Sequence, residues 1–313
     1  SLTYLYPKIN HKIIYQWQEF KPDIIHFNKQ NLEDGLDLLS WVNFTKIPSI
    51  TTIHITQTQA SLGSFIGKWR DQIAKISLAG YKGKIVAISD NRGKELKNFL
   101  ASLYPSDDIF TINNGVRIVE ESERLEKRKL SRIKLNISSD ELFIIAVGRM
   151  ESQKQPLLFL QWAKYLAKKL SSVRFLWVGE GRLTPLWDQW IIENKAQEYI
   201  QHLGWQNDVT PFLAAADGFF HTASFEGLPF ALLEAMAWHL PCAITSELAQ
   251  DLELFSGNCF VVTEQNNFQQ LDEFMNIRNR VSVAQKGYQL IKEKFSLSSM
   301  INKYIYLYNA VKM

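Results

Sequence analysis

The chain is poor in the features that mark secreted and membrane-spanning proteins. Its 313 residues include only two cysteines, Cys242 and Cys259. Both stand in short apolar runs at no metal-binding or redox spacing, which favours reduced thiols in a core. No apolar run reaches the roughly 18 to 20 residues of a bilayer-spanning helix, and no secretory signal opens the sequence. These absences predict a cytoplasmic protein.

Net charge is also small, at +3, but it is unevenly distributed. Residues 1–140 carry 20 Lys and Arg against 15 Asp and Glu, whereas the remainder carries 15 against 17. This excess is too weak for a nucleic-acid-binding protein. In the segment 61–84, basic residues are interleaved with apolar ones. That pattern fits either a solvated helix face or a helix that contacts anionic lipid on the inner face of a membrane.

What the chain does contain is an alternation of short apolar runs and amphipathic segments. Strands separated by helices form parallel sheets covered on both faces, so the pattern predicts two doubly wound α/β domains. The expected divisions are an N-terminal domain (1–118), a charged linker (119–140), a C-terminal domain (141–294) and a final helix (295–313) that crosses back to the first domain. The candidate strands are Ile24–Phe27, Ser49–His54, Ile85–Ser89, Phe110–Ile112, Leu142–Val147, Val173–Val178, Tyr199–Leu203, Gly218–Thr222, Cys242–Thr245 and Cys259–Val262.

The residues that follow the strands of the second series suit an anionic ligand. Ligands of open α/β sheets bind beyond the carboxyl ends of the strands. Arg149 and Lys154 follow the candidate strand Leu142–Val147, and a helix begins near Pro229 after the strand Gly218–Thr222. The forked donors of an arginine, the ammonium group of a lysine and a helix N-terminus together favour a diphosphate. Ordinary surface cations are the alternative interpretation.

Two glutamates stand eight residues apart around the start of that helix. Glu234 lies among apolar helical neighbours, where a carboxylate costs several kcal/mol unless it is hydrogen-bonded. With a diphosphate on Arg149 and Lys154, Glu234 would accept hydrogen bonds from the two hydroxyls of a ribose. Glu226, in the preceding loop, would meet a sugar at the other end of the diphosphate. A buried internal partner for Glu234 is the alternative.

The stretch EGLPFALLEAMA, residues 226–237, resembles the signature of the family-4 retaining glycosyltransferases of the GT-B fold. The stretches KPDIIHF, PSITTIH, KIVAIS and INNGV look like landmarks of the family's first domain. VGRMESQKQPLLFL, FLWVGEG, HLGWQNDVTPFLAAAD and LPCAITS look like those of its second domain. They occur in the family's order, so the resemblance covers essentially the whole chain.

The resemblance implies two Rossmann-like domains facing a cleft, and a specific reaction. A sugar would pass with retention from a nucleoside diphosphate, UDP or GDP, to a saccharide or lipid-linked acceptor, without a metal ion or cofactor. The implied catalytic residues are Glu226 and His54. The implied donor-binding residues are Arg149, Lys154, Glu234, Gly227, Leu228, Gly148 and Asn114.

The chain also departs from the family's pattern. Judged by the usual size of such a domain, roughly 60 to 90 residues with a first strand and a glycine-rich loop are expected before Ser1. His239 stands where a glycine is usual, which predicts a left-handed backbone there at a cost of about 1 kcal/mol. The stretch 247–250 replaces a glycine pair.

Two rival functions fit parts of the sequence. One is a non-catalytic GT-B partner subunit that keeps a nucleotide-sugar pocket. The other is a glycoside hydrolase with Glu226 and Glu234 as acid and base, but such an enzyme does not need the cations Arg149 and Lys154. For His54 a structural role in the core is also open, and His26 is either structural or on the acceptor side.

Overall fold

The computed structural model describes residues 11–61, 63–263 and 268–312. They divide into two compact units. The first runs to Gly115 and resumes at Ser298, and the second comprises Val116–Leu297. Each of the ten candidate strands is present in one of two parallel sheets, which confirms the predicted fold class.

The first unit contains a four-stranded parallel sheet in the order β1-β2-β3-β4. The strands are β1 (Ile25–Lys29), β2 (Ser49–Ile53), β3 (Lys84–Ala87) and β4 (Ile109–Thr111). The helices are α1 (His11–Phe20), α2 (Leu36–Val42), α3 (Gly67–Ala79), α4 (Asp90–Leu100) and, at the end of the chain, α13 (Leu297–Lys312).

Both faces of this sheet are covered. On one side Leu36, Leu78 and Leu96 bring α2, α3 and α4 into one buried cluster with Ile85. On the other side Leu307 of α13 packs with Ile50, Val86 and Ile112. Because neighbouring residues of a strand point to opposite faces, β3 supplies Ile85 to one cluster and Val86 to the other.

The second unit contains a six-stranded parallel sheet in the order β10-β9-β8-β5-β6-β7. The strands are β5 (Leu142–Val147), β6 (Val173–Val178), β7 (Ile200–Leu203), β8 (Gly218–His221), β9 (Cys242–Thr245) and β10 (Phe260–Val262). The helices are α5 (Glu121–Lys134), α6 (Pro156–Ala167), α7 (Thr184–Glu193), α8 (Thr210–Ala215), α9 (Phe230–Ala237), α10 (Ser246–Asp251), α11 (Gln270–Met275) and α12 (Ile277–Lys294).

Aromatic side chains fill the core of this unit. Trp162, Trp177 and Trp187 are buried. The ring of Phe159 lies 5.4 Å from that of Trp177 and 5.8 Å from that of Trp187, centroid to centroid. The two cysteines are buried free thiols, and burial raises the pKa of both.

The charged stretch after Val116 is fastened to the second unit. It forms α5, from which Arg128 and Arg132 donate hydrogen bonds to the Asp217 carboxylate and to the carbonyl of Ala215. His239 has a φ of 57°, which confirms the predicted left-handed backbone. In the part of the chain that the structure describes, no helix is both long and apolar enough to cross a bilayer.

Candidate functional site

Two neighbouring strands of the second sheet, β5 and β8, end at the same edge and lead into two loops that are tied together. The Thr222 hydroxyl donates to the Lys154 carbonyl at 2.8 Å, and the Ser224 N–H donates to the Gln153 carbonyl at 2.9 Å. The Gln153 side-chain amide donates to the Phe225 carbonyl at 2.9 Å. These bonds fix the loop that carries Lys154 against the loop that carries Glu226.

Close backbone contacts hold the segment after β5. A Cβ atom on Gly179 would lie 2.2 Å from the Gly148 carbonyl oxygen, and one on Gly181 would lie 2.5 Å from that of Met150. Gly179 also has a φ of 130°. Only glycine meets both conditions without strain. Gly148 itself lies beside the stem of Lys154, with 3.5 Å between an added Cβ and the Lys154 Cδ atom.

Lys154, Glu226 and His221 form a buried polar cluster. The Lys154 ammonium pairs with Glu226 Oε1, and the two side chains are 19% and 12% exposed. His221 Nε2 lies 3.4 Å from the same oxygen. Burial raises the pKa of Glu226, but His221 and Lys154 lower it by more, so the pKa lies below its ordinary value. Burial lowers the pKa of His221 below its ordinary value, which favours the neutral imidazole.

Arg149 and Glu234 are the next two predicted site residues. Arg149 is exposed and Glu234, in α9, is half-buried. Among the described residues neither side chain has a hydrogen-bond or ion-pair partner. Burial raises the pKa of Glu234. The internal partner that was the alternative explanation of Glu234 is therefore not found among these residues.

Gly227 and Leu228 complete the loop between Glu226 and α9. Leu228 is buried and Gly227 half-buried, and Pro229 directly precedes the helix. A proline at this point has no N–H to leave unsatisfied. The loop thus leads the chain from Glu226 straight into the helix that carries Glu234.

The other predicted residues, His54 and Asn114, lie in the first unit. They line a cavity of about 370 Å³. His54 Nε2 is 2.6 Å from Asn28 Oδ1, and Asn114 is 6% exposed with no partner for its side-chain amide nitrogen among the described residues. Burial lowers the pKa of His54.

His26 belongs to the same cavity and is part of a hydrogen-bonded network. Its Nδ1 is 2.7 Å from the Tyr308 hydroxyl and its Nε2 is 2.8 Å from the Thr52 hydroxyl. Burial lowers the pKa of His26, and His54 lowers it further. The ring therefore joins β1 to β2 and to α13.

The sequence did not single out His221 or Gln153. His221 is the last residue of the strand that leads to Glu226. Ligands bind beyond the carboxyl ends of the strands, so a search that began at the last residue of each strand would have included His221. Gln153 ties the two loops through its own carbonyl and that of Phe225, and a residue pattern does not reveal contacts to backbone carbonyls. Across the described ranges, no group of three His, Cys, Asp or Glu side chains is placed to hold a metal ion.

Comparison with known proteins shows which families and structures the chain is similar to. Residues 141–274 match the family described as group 1 glycosyl transferases. The chain is 30% identical over 181 residues to the Escherichia coli UDP-Gal:alpha-D-GlcNAc-diphosphoundecaprenol alpha-1,3-galactosyltransferase, which covers 56% of this chain and 45% of that protein. It is 22% identical over 251 residues to the Acholeplasma laidlawii alpha-monoglucosyldiacylglycerol synthase, covering 74% of this chain and 61% of that one. The chain thus spans about half the length of these curated relatives.

Among solved structures, Anabaena Alr3699/HepE in complex with UDP and glucose superimposes with a TM-score of 0.75. The sequence identity is 17%, and the match covers 99% of this chain and 83% of that one. Rickettsia africae glycosyltransferase superimposes with a TM-score of 0.73 at 18% identity, covering 96% and 80%. These matches confirm the resemblance on which the sequence prediction rests: the chain has the GT-B fold, and its residues 141–274 match the group 1 glycosyltransferase family.

Proposed function

We propose that the protein is a metal-independent, retaining glycosyltransferase that moves a sugar from a nucleoside diphosphate to a saccharide or lipid-linked acceptor. The observation that carries the proposal is the cluster at the ends of β5 and β8. There the loops that follow the two strands, which are tied to each other, carry an arginine without a partner among the described residues, a lysine and a carboxylate, and residues 141–274, which match the family, include all three.

The donor diphosphate is assigned to Arg149 and Lys154. Arg149 is exposed and unpartnered among the described residues, so its fork of N–H donors is available to an anion. The pairing of Lys154 with Glu226 keeps the ammonium at the site. Two cations and the start of α9 can balance the charge of a leaving diphosphate, which is the work that a metal ion does elsewhere.

The two glutamates are assigned to the two ends of the donor. Glu234 is half-buried and has no side-chain partner in the described part of the chain, so vicinal ribose hydroxyls would supply the hydrogen bonds that it lacks. Glu226 is held in the ionised form and can stabilise positive charge that develops on the transferred sugar. Gly227 and Leu228, through their backbone N–H groups, and Gly148 belong to the same two loops and are also assigned to donor binding.

The first unit is assigned to the acceptor side, with His54 as its catalytic candidate and Asn114 as its contribution to donor binding. The relatives support a lipid-linked acceptor by name, since one acts on a diphosphoundecaprenol and another makes a glucosyldiacylglycerol. Peripheral contact with an anionic membrane on the cytoplasmic side is part of the proposal. It rests on the exposed face of α3.

Calorimetry of UDP and GDP binding in the presence of EDTA tests the proposal. We expect one of the two nucleotides to bind without a divalent ion. Arg149→Ala should weaken binding by about 2 to 4 kcal/mol, the cost of losing a desolvated charge-assisted contact. Arg278→Ala is the matched control, because Arg278 is also exposed and also lacks a side-chain partner among the described residues. A requirement for magnesium, or equal losses in both variants, would contradict the assignment.

A further inference from the structure

The buried histidine behind Glu226 has no role in the reaction as described so far. We propose that His221 is a positioning residue, which holds the Glu226 carboxylate in place when Lys154 turns to the donor diphosphate. This inference rests on the proposed function of the site, because it needs a diphosphate that competes for Lys154.

The geometry restricts what His221 can do. It ends β8, is 3% exposed, and stacks on Phe219 with 6.0 Å between ring centroids and 19° between ring planes. Its Nε2 makes no hydrogen bond with the described residues but lies 3.4 Å from Glu226 Oε1. A buried imidazole nitrogen without a partner is costly. A small movement of the carboxylate would give it one.

Lys154 and His221 both lie next to the same oxygen atom of Glu226, Oε1. The lysine reaches it on a flexible four-carbon stem, so its ammonium can leave for a phosphate oxygen. The histidine cannot follow, because its backbone belongs to a strand and its ring is packed. Of these two side chains, His221 is therefore the one that stays beside Glu226 when the donor binds.

The charges around the pair agree with this exchange. Among the described residues, the charged groups that act on His221 are Glu226, from the loop after β8, and Lys154, from the turn after β5. The carboxylate of Asp251, in α10, accepts from the Glu226 backbone N–H at 3.5 Å. A neutral imidazole can donate its Nε2–H to the carboxylate, and this donation favours the ionised form of Glu226. With Lys154 neutralised by phosphate, that bond keeps the carboxylate charged beside the reacting sugar.

Kinetics of three variants test the positioning role. UDP-galactose is the donor probe, water is the acceptor, and the products are UDP and galactose. His221→Leu should lower kcat by about 10- to 100-fold, the cost of a misplaced reacting group, and should leave the UDP dissociation constant within about twofold. His221→Gln, whose amide nitrogen can replace Nε2, should recover most of the rate. Phe219→Leu is the control for lost packing and should keep kcat.

The pH profile separates positioning from general stability. His221→Leu removes a group that lowers the pKa of Glu226, so the acid limb of kcat should move to higher pH. If His221→Leu still bound UDP, kept its kcat and kept the acid limb at the same pH, the positioning role would be overturned and the proposed function would stand. Equal losses in His221→Leu, His221→Gln and Phe219→Leu would also overturn it, since they would report packing. Failure of the unaltered protein to bind any nucleoside diphosphate would instead remove the proposed function.

Discussion

At the scale of single residues, Glu226 and Glu234 are two carboxylates with opposite surroundings. Glu226 is paired with Lys154 and its pKa is lowered on balance, whereas Glu234 is unpartnered among the described residues and its pKa is raised by burial. A ribose does not change during transfer, so Glu234→Gln should raise the donor KM more than it lowers kcat. The reacting sugar gains positive charge, so Glu226→Gln should lower kcat by about 10²-fold or more. Steady-state kinetics with UDP-galactose measures both effects.

UDP affinity serves as the control for this pair of variants. Glu226→Gln leaves Lys154 without its anionic partner, so UDP should bind at least as well as before. Loss of UDP binding in Glu226→Gln, combined with intact binding and lost turnover in Glu234→Gln, would mean that the two carboxylates have each other's roles.

What the sequence could predict at this scale depends on position along the chain. Arg149, Lys154 and Glu226 follow strands directly, and the edge of a parallel sheet brings such residues together. Lys29 could not be predicted in the same way. It ends β1, is 3% exposed, and its pKa is lowered to about 7 by burial. A strand pattern does not show how the chain packs around the end of the strand, so it does not contain that burial.

At the scale of elements, the turn after β6 determines where the loop after β5 lies. Gly181→Ala would place a Cβ atom 2.5 Å from the Met150 carbonyl oxygen and 2.8 Å from its nitrogen. Backbone atoms cannot move aside cheaply, so the segment that carries Arg149 must shift. We expect a loss of about 1 to 3 kcal/mol in the free energy of unfolding, as for other overpacked sites. We also expect weaker UDP binding, measured by thermal unfolding with and without UDP.

Gly257→Ala is the control for this substitution. A Cβ atom at Gly257 would meet no heavy atom within 4 Å, and the residue has no left-handed backbone. This variant should match the unaltered protein in both measurements. If Gly181→Ala bound UDP normally, the turn would not control the position of Arg149.

Strands were easier to predict than short helices. Most of the strands contain a short apolar run between polar segments, so the sequence pattern indicates them. The helix α10 replaces the expected glycine pair with Ser246–Asp251, and it is capped by the Thr245 hydroxyl, which accepts from the Leu248 N–H at 3.2 Å. The cap works only because β9 ends at Thr245. Such a helix depends on its neighbours more than on its own apolar spacing.

At the scale of the molecule, the excess of positive charge in residues 1–140 coincides with an exposed apolar stripe on α3. Leu78 and Ala74 bury one face of this helix. On the opposite side Trp69 and Ile76, seven residues apart, are 50% and 61% exposed. Phe65, in the turn before the helix, is 103% exposed. The sequence could not separate this arrangement from a solvated helix, because only burial shows which apolar residues remain outside.

Basic side chains flank the stripe, so its surface suits anionic lipid. Lys68 is exposed and Lys75 is half-buried. Arg70 is not counted, because it pairs with Glu33. A basic residue near an anionic bilayer contributes about 1 kcal/mol, and insertion of a large apolar side chain contributes about 1.5 to 3 kcal/mol. Together these terms are sufficient for reversible binding without a spanning helix.

Co-sedimentation with vesicles provides the measurement. The protein should bind vesicles of phosphatidylglycerol and phosphatidylcholine more tightly than vesicles of phosphatidylcholine alone, and added salt should weaken the difference. The double variant Phe65→Ser, Trp69→Ser should lose about 10-fold or more in partitioning, since two inserted rings are removed. The control is Phe44→Ser, Trp205→Ser, which removes a phenylalanine and a tryptophan that are 67% and 72% exposed elsewhere. Equal binding to both kinds of vesicle, or equal losses in the two double variants, would show that α3 presents a solvated face and that the acceptor is reached without this surface.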